Sequence, residues 1–260
     1  MLRLDLLGDL RLTAGSDAGS VALQPGMGRL LACLCLAESS LLVPESLVER
    51  LWQGSGLQEG RACLHTALWR LRQVLRRRGV EWRGAVVRGG SSMIERPPIT
   101  VDAILFRRAA ETGLVAGRGL AGTAAARALE EAAKLYTGDL MPGVYDDWAL
   151  AERERLRELF LDVQLALLDR HAARGDHRRA IAYGWAVLRL EPLREDVHRR
   201  VIELHLAADE PGAAVAQFER CAALLARELQ VRPSILTTRL VAGLRETGGA
   251  GRTAMGNLSR

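Results

Sequence analysis

The 260 residues carry a net charge of +5, and 48% of them are hydrophobic, which is typical of a globular protein with one large or two ordinary domains. No run approaches the roughly 18 unbroken apolar residues of a membrane span. The first residues alternate like a strand rather than a signal peptide, so we expect no membrane partner and a cytoplasmic location. Residues 1–96 contain 13 basic and 9 acidic residues and so carry +4 of the +5. This distribution favours a polyanionic partner for the first third of the chain.

Short strands precede the first two predicted helices. Leucines alternate with polar residues between Leu2 and Leu12, and 21–23 offers another short strand, which predicts a small antiparallel sheet. The nearly all-apolar run 29–37 predicts a buried helix. Pro44 suits the first turn of the next helix.

The segment 60–79, GRACLHTALWRLRQVLRRRG, predicts an amphipathic third helix without an acidic residue. Its apolar stripe consists of leucines spaced three and four apart, namely Leu64, Leu68, Leu71 and Leu75. The remaining surface carries cationic and aromatic side chains: Arg61, His65, Trp69, Arg70, Arg72 and Arg76. Such a helix suits a DNA major groove, and a solvated Arg-rich surface helix is the alternative. Trp69 would contact a thymine methyl or a sugar, or else pack against the second helix or the wing.

A predicted hairpin follows this helix. Residues 85–88 and 91–94 are strand candidates around Gly89-Gly90, a dipeptide typical of a tight two-residue turn. Strands, three helices and a hairpin in this order predict a winged helix-turn-helix, in which the third helix enters the major groove. The hairpin would be a wing beside the backbone or the minor groove. The alternative is a small α+β domain without a DNA role.

The chemistry of each arginine suggests its role in such a complex. Arg70 or Arg61 would bind guanine through two hydrogen bonds. Arg72, Arg76 and Arg88 would hold phosphates, which position the protein without reading sequence.

The composition changes to Ala, Leu, Arg and Glu after Pro97-Pro98, which predicts domains at 1–96 and 97–246 and a disordered tail at 247–260. Asp102 would cap the first helix of the second domain. The apolar periodicity predicts helices at 103–116, 120–136, 147–173, 177–190, 194–208, 211–229 and 233–246. Ala180 and Ala214 lie one tetratricopeptide period of 34 residues apart in similar helices. The predicted fold is therefore mainly α with a small β component, a winged helix-turn-helix followed by an all-α tetratricopeptide-like domain.

Catalytic chemistry has no clear signature in this sequence. It contains no Gly-rich phosphate loop, nucleophile elbow or HExxH motif, so we expect no enzyme activity, cofactor or metal. Its four cysteines lie mostly among leucines and alanines, which predicts buried free thiols.

Three segments resemble a known family, the bacterial transcriptional activator domain. They read YTGDLMPGVYDDWALAERERLRELF from Tyr136, GDHRRAIAYGWAVLRLEPLREDVHRRVIELHL from Gly175 and PGAAVAQFERCAALLARELQVRPS from Pro211. With a winged helix before it, this domain is similar to the antibiotic-regulatory-protein (SARP) type of activator over roughly residues 2–245.

The resemblance implies sequence-specific binding to double-stranded promoter DNA, recruitment of RNA polymerase, and dimers on tandem direct repeats. Its DNA-contact positions correspond to Arg61, His65, Thr66, Trp69, Arg70, Arg72 and, on the wing, Arg88. Two other hypotheses remain. The helical half could be a protein-interaction module whose N-terminal domain has lost DNA binding, or the chain could be a ligand-gated repressor.

Overall fold

A computed structural model describes residues 2–14, 18–21, 23–117 and 122–250, which divide into two compact units, 1–160 and 161–260. Within these described ranges, no helix is long and apolar enough to cross a bilayer. The domain boundary predicted between residues 96 and 97 remains a prediction from sequence.

The elements follow the predicted order. The strands are β1 (Leu2–Asp5), β2 (Arg11–Ala14), β3 (Ala18–Val21), β4 (Leu41–Leu42), β5 (Ala85–Arg88), β6 (Ser91–Glu95) and β7 (Thr100–Val101). The helices are α1 (Pro25–Leu36), α2 (Pro44–Leu51), α3 (Leu57–Arg77), α4 (Asp102–Gly117), α5 (Gly122–Leu135), α6 (Asp147–Ala173), α7 (His177–Leu190), α8 (Glu195–Ala207), α9 (Pro211–Glu228) and α10 (Ile235–Ala250). The predicted fold class, mainly α with a winged helix-turn-helix and a tetratricopeptide-like part, is confirmed.

The N-terminal sheet has the order β3-β2-β1-β7. Its first three strands are antiparallel, as predicted, although the third lies at 18–21 rather than 21–23. Strand β7 adds to the sheet in parallel, pairing Arg3 with Thr100 and Leu4 with Val101. The sheet is therefore mixed, and not purely antiparallel as the alternation alone predicted.

Helix α1 begins four residues earlier than the predicted helix at 29–37. Pro25 occupies the first turn of α1, where a missing N–H costs no helical hydrogen bond. Gly28 lies inside the helix, and a Cβ there would be 3.1 Å from the Leu10 side chain. Close packing against Leu10 thus explains a glycine that resembles a helix breaker in the sequence.

Asp102 is a buried charged residue of the first unit and is only 3% exposed. Its carboxylate accepts N–H hydrogen bonds from Leu6 at 2.8 Å, from Leu7 at 3.0 Å and from Ala103 at 2.6 Å. The carboxylate predicted to cap α4 therefore binds the N–H of the next residue and fastens the end of β1 to the start of α4. Burial raises the pKa of Asp102, and these N–H groups oppose that shift.

The second unit contains the predicted repeat. Helices α7 to α10 pack successively, each against the next. Ala180 and Ala214, one period apart, are both fully buried. Gly175 and Asp209, also one period apart, have left-handed φ values of 72° and 58° at the preceding turns. The repeat therefore shows in the backbone as well as in the spacing of alanines.

The ends of the predicted helical region differ slightly from the structure. Residues 120 and 121, predicted to begin the second of these helices, lie outside the described residues. Helix α10 continues to Ala250, four residues into the segment predicted as a disordered tail, and 251–260 lie outside the described residues.

The free-thiol prediction is confirmed for the described cysteines. Cys33, Cys35 and Cys221 are buried, Cys63 is half-buried, and all four are free. Burial raises the pKa of Cys33 to about 11 and that of Cys35 to about 12. These thiols remain protonated and behave as small apolar side chains.

Candidate nucleic-acid interface

Helix α3 packs into the winged helix through the predicted leucine stripe. Leu64, Leu68, Leu71 and Leu75 are all at most 6% exposed. Gly60 completes this buried face, because a Cβ there would lie 2.3 Å from Val48 Cγ1 of α2. The helix is therefore fixed in orientation, and the face opposite the stripe is directed away from the core.

Most of the predicted contact residues on α3 lie on this exposed surface. Side chains classed as exposed are His65, Thr66, Trp69, Arg70 and Arg76. Trp69 is 60% exposed, an unusual position for an indole on a helix that is otherwise anchored by buried leucines. The side-chain hydroxyl of Thr66 donates to the Ala62 carbonyl at 3.0 Å.

A groove separates α3 from the hairpin and brings four of the predicted residues together. Its α3 wall includes Arg61, His65, Trp69 and Arg72, and its other wall includes Ala85, Ser92 and Ile94 of the hairpin. Arg70 lies on the other side of the helix, where its Nη1 donates to Gln24 Oε1 at 3.3 Å. The predicted contact residues therefore lie on both sides of the exposed face of α3, four of them in the groove and Arg70 outside it.

Arg61 already has an acidic partner. Its Nη2 lies 2.5 Å from Glu45 Oε1 in the first turn of α2, and both side chains are about 40% exposed. A backbone hydrogen bond at Glu45 and the hydrogen bond from Arg61 lower the pKa of the Glu45 carboxyl. Sequence reasoning missed Glu45, because only the packing of α2 against α3 brings the two side chains together.

Arg72 joins α3 to the hairpin. Its Nη2 donates to the carbonyl of Arg83, and a Cβ on Gly84 would lie 3.1 Å from the same nitrogen. Trp82, 6% exposed, donates its indole N–H to the Glu95 carbonyl at 3.0 Å. These bonds set the base of the hairpin against α3.

The hairpin has the predicted turn. Arg88 pairs with Ser91, which leaves Gly89 and Gly90 as a two-residue loop with φ values of 57° and 81°. Both values lie in the left-handed region that a type I′ turn requires and glycine adopts freely. Strand β4 extends the hairpin to a three-stranded sheet of order β4-β6-β5. Arg88 is exposed next to the turn, as a wing contact requires.

Comparison with known proteins decides the family. Residues 101–245 match the family model of the bacterial transcriptional activator domain, which is more than half of the chain. The chain belongs to this family. With its preceding winged helix, it has the domain order of the SARP type, as the resemblance implied.

Two similar proteins are named as regulatory proteins. The chain is 28% identical over 239 residues to the regulatory protein AfsR of Streptomyces coelicolor, covering 89% of this chain and 23% of AfsR. It is 25% identical over 213 residues to the transcriptional regulatory protein MoaR1 of Mycobacterium tuberculosis, covering 81% of this chain and 68% of MoaR1. The chain thus spans about a quarter of the length of AfsR.

A solved structure has the same fold. Mycobacterium tuberculosis EmbR, in complex with a low-affinity phosphopeptide, superposes with a TM-score of 0.73 at 22% identity. The match covers 97% of this chain and 70% of the EmbR chain.

The segment Tyr136–Asp139 has a structural role in the first unit. The Thr137 hydroxyl donates to the Leu7 carbonyl at 2.6 Å, and the Gly8 N–H donates to the Asp139 carbonyl at 2.9 Å. The Tyr136 hydroxyl donates to Asp139 Oδ1 at 2.9 Å. The start of the first segment that resembles the family therefore binds the residues that follow β1.

Proposed function

We propose that this SARP-type regulator binds double-stranded promoter DNA with α3 in the major groove and the β5–β6 hairpin as a wing. The observation that supports this most directly is the exposed face of α3. It offers Thr66, Trp69, Arg70 and Arg76 beside a projecting hairpin. A helix of this kind fits the major groove, whose base edges present acceptors and thymine methyl groups.

Arg70 is the best candidate for reading a base. The one hydrogen bond of its side chain within the described residues is that of 3.3 Å to exposed Gln24, which water or DNA can replace at little cost. A guanidinium can donate two hydrogen bonds to guanine O6 and N7. Arg61 is the second candidate, although Glu45 competes for its guanidinium and must share it with a base.

The other cations would position the duplex. Arg76 near the end of α3 and Arg88 on the wing are exposed and suit phosphate contacts. Arg72 uses one N–H group for the Arg83 carbonyl, and its remaining N–H groups could hold a phosphate between the helix and the wing. His65 lines the same groove and would contact the backbone or a base edge.

We further propose that the chain activates transcription in the cytoplasm, as a homodimer on tandem direct repeats that recruits RNA polymerase. Family membership supports this part of the proposal. The successive helix pairs of the second unit also resemble scaffolds that bind protein partners along an extended surface.

Selection from a random DNA pool tests the proposal. We expect recovery of a defined sequence, bound at least about a thousandfold more tightly than random duplex at one salt concentration. Arg70→Ala should lose about 1–3 kcal/mol of discrimination at a single base pair. Arg227→Ala, on the exposed surface of α9, is the matched control and should leave the selected sequence unchanged.

Two results of this selection would contradict the proposal. Folded protein that binds every duplex equally, or none at low salt, would contradict DNA recognition by α3. A protein-interaction role for the helical half would then be the better account.

A further inference from the structure

We propose that Trp69 is a specificity-determining residue that reads the 5-methyl group of a thymine. This inference rests on the proposed function, because it takes α3 to lie in the major groove. The inference goes further by naming the chemical group of the DNA that Trp69 recognises.

The position of Trp69 excludes a role in the core. The indole is 60% exposed, whereas its neighbours Leu68 and Leu71 are at most 6% exposed. An exposed indole places a large apolar surface in water, which costs free energy unless a partner covers it. A partner that covers this surface would come from outside the winged helix.

Trp69 also lies between cations that can hold DNA on either side. The groove that contains Trp69 includes Arg61 and Arg72, whereas Arg70 lies on the other side of the same exposed face. A duplex held by these arginines would contact the indole of Trp69 near the middle of α3. The contact would therefore be central rather than at the rim of the interface.

The chemistry of the major groove then selects one partner. Base edges in that groove offer nitrogen and oxygen acceptors, amino donors and a single apolar group, the thymine methyl. Among the base edges, the apolar surface of Trp69 has no other apolar partner, and a contact with a sugar would leave binding indifferent to uracil. Since covering one methyl group contributes about 0.8 kcal/mol, its loss should weaken binding by about fourfold.

Uracil substitution removes that methyl and nothing else. In the duplex recovered by selection, each thymine is replaced in turn by deoxyuridine, and the affinity of the full chain is measured at fixed salt. We expect one position at which wild-type protein loses about fourfold in affinity. Trp69→Ala should bind the thymine duplex at least about fourfold more weakly and show no further loss with uracil, as expected for two groups that contact each other.

Thr66→Ser is the matched control. Thr66 is exposed on the same helix face, and its own methyl could contact thymine. Serine keeps the hydroxyl and removes that methyl. The fourfold uracil effect should persist in Thr66→Ser, and its disappearance there would assign the contact to Thr66 and overturn the proposal for Trp69.

The remaining outcomes separate the two proposals. A selected sequence bound tightly but indifferent to every uracil, or containing no thymine, would overturn the role of Trp69 and leave DNA binding intact. A uracil effect of full size in Trp69→Ala would do the same. Failure to bind any sequence specifically would contradict the proposed function itself.

Discussion

At the scale of single residues, the arginines on α3 differ in whether other groups of the protein already bind them. Arg61 pairs with Glu45 and Arg72 donates to Arg83, whereas Arg76 is exposed in the last turn of the helix. A cation held by its own domain loses part of its freedom to follow a ligand. A cation in water keeps that freedom and suits the salt-dependent attraction of phosphates.

Arg76→Ala should therefore weaken binding to all DNA sequences by a similar factor. One phosphate contact fewer releases about one counterion fewer, so the slope of log affinity against log salt should fall by about one. Affinities measured over a salt series, for the selected and a random duplex, provide the test. A change in base preference at an unchanged slope would show that Arg76 reads a base instead.

At the scale of elements, the position of α3 depends on its close contact with α2. Gly60 permits this contact, because an added Cβ would lie 2.3 Å from Val48 Cγ1. Val48 is β-branched and buried, so it has little freedom to move aside. Gly60, on the buried side of α3, therefore determines which face of the helix is exposed.

Gly60→Ala should lower the free energy of unfolding, which urea denaturation measures. Overpacking costs about 1–3 kcal/mol, which exceeds the gain of up to about 1 kcal/mol from replacing a helical glycine. Gly26→Ala in α1 is the control, because nothing lies within 4 Å of a Cβ there. If the two variants were equally stable, the contact between α2 and α3 would be looser than described.

Local patterns in the sequence predicted much of this region correctly. The leucine stripe located α3 and its buried face, because a helix repeats every 3.6 residues and leaves one side for the core. Gly89-Gly90 predicted the hairpin, since both residues need a left-handed φ that glycine adopts without strain. These signals depend only on neighbours in the chain.

Features that depend on distant partners could not be predicted in this way. Strands β4 and β7 have two residues each, too few for a period, and exist because β6 and β1 pair with them. The partner of Arg61 likewise lies on α2, and the partner of Arg72 lies in the loop before β5. The sequence thus predicted which side chains α3 offers, and the packing determined which of them are already engaged.

At the scale of the whole molecule, the second unit contains a buried polar contact between two of its helices. His198 is 1% exposed; its Nε2 lies 3.0 Å from the Pro192 carbonyl and its Nδ1 lies 2.8 Å from Gln217 Nε2. This geometry assigns a neutral ring that donates to Pro192 and accepts from Gln217. Burial is the main cause that lowers the pKa of His198, and Arg220 lowers it further, while the Pro192 carbonyl, Glu195 and Asp196 oppose the shift.

The free energy of unfolding should consequently fall as the pH decreases below about 6.5, the pKa of an unfolded histidine. The unfolded chain binds a proton there before the folded chain does, so acid favours unfolding by up to about 1.4 kcal/mol per pH unit. Urea denaturation at several pH values should show a smaller decrease for His198→Asn than for wild type. His65→Asn, at an exposed position, is the control and should retain the full decrease. An unchanged decrease in His198→Asn would exclude His198 as its source.

DNA recognition by α3 is the central claim, and a footprint on the DNA upstream of the chain's own and neighbouring genes tests it most directly. We expect protection of two direct repeats one helical turn apart, about 10–11 base pairs, which weakens with salt and disappears in Arg70→Ala. Protection that survives Arg70→Ala unchanged, or no protection by folded protein at low salt, would contradict the claim.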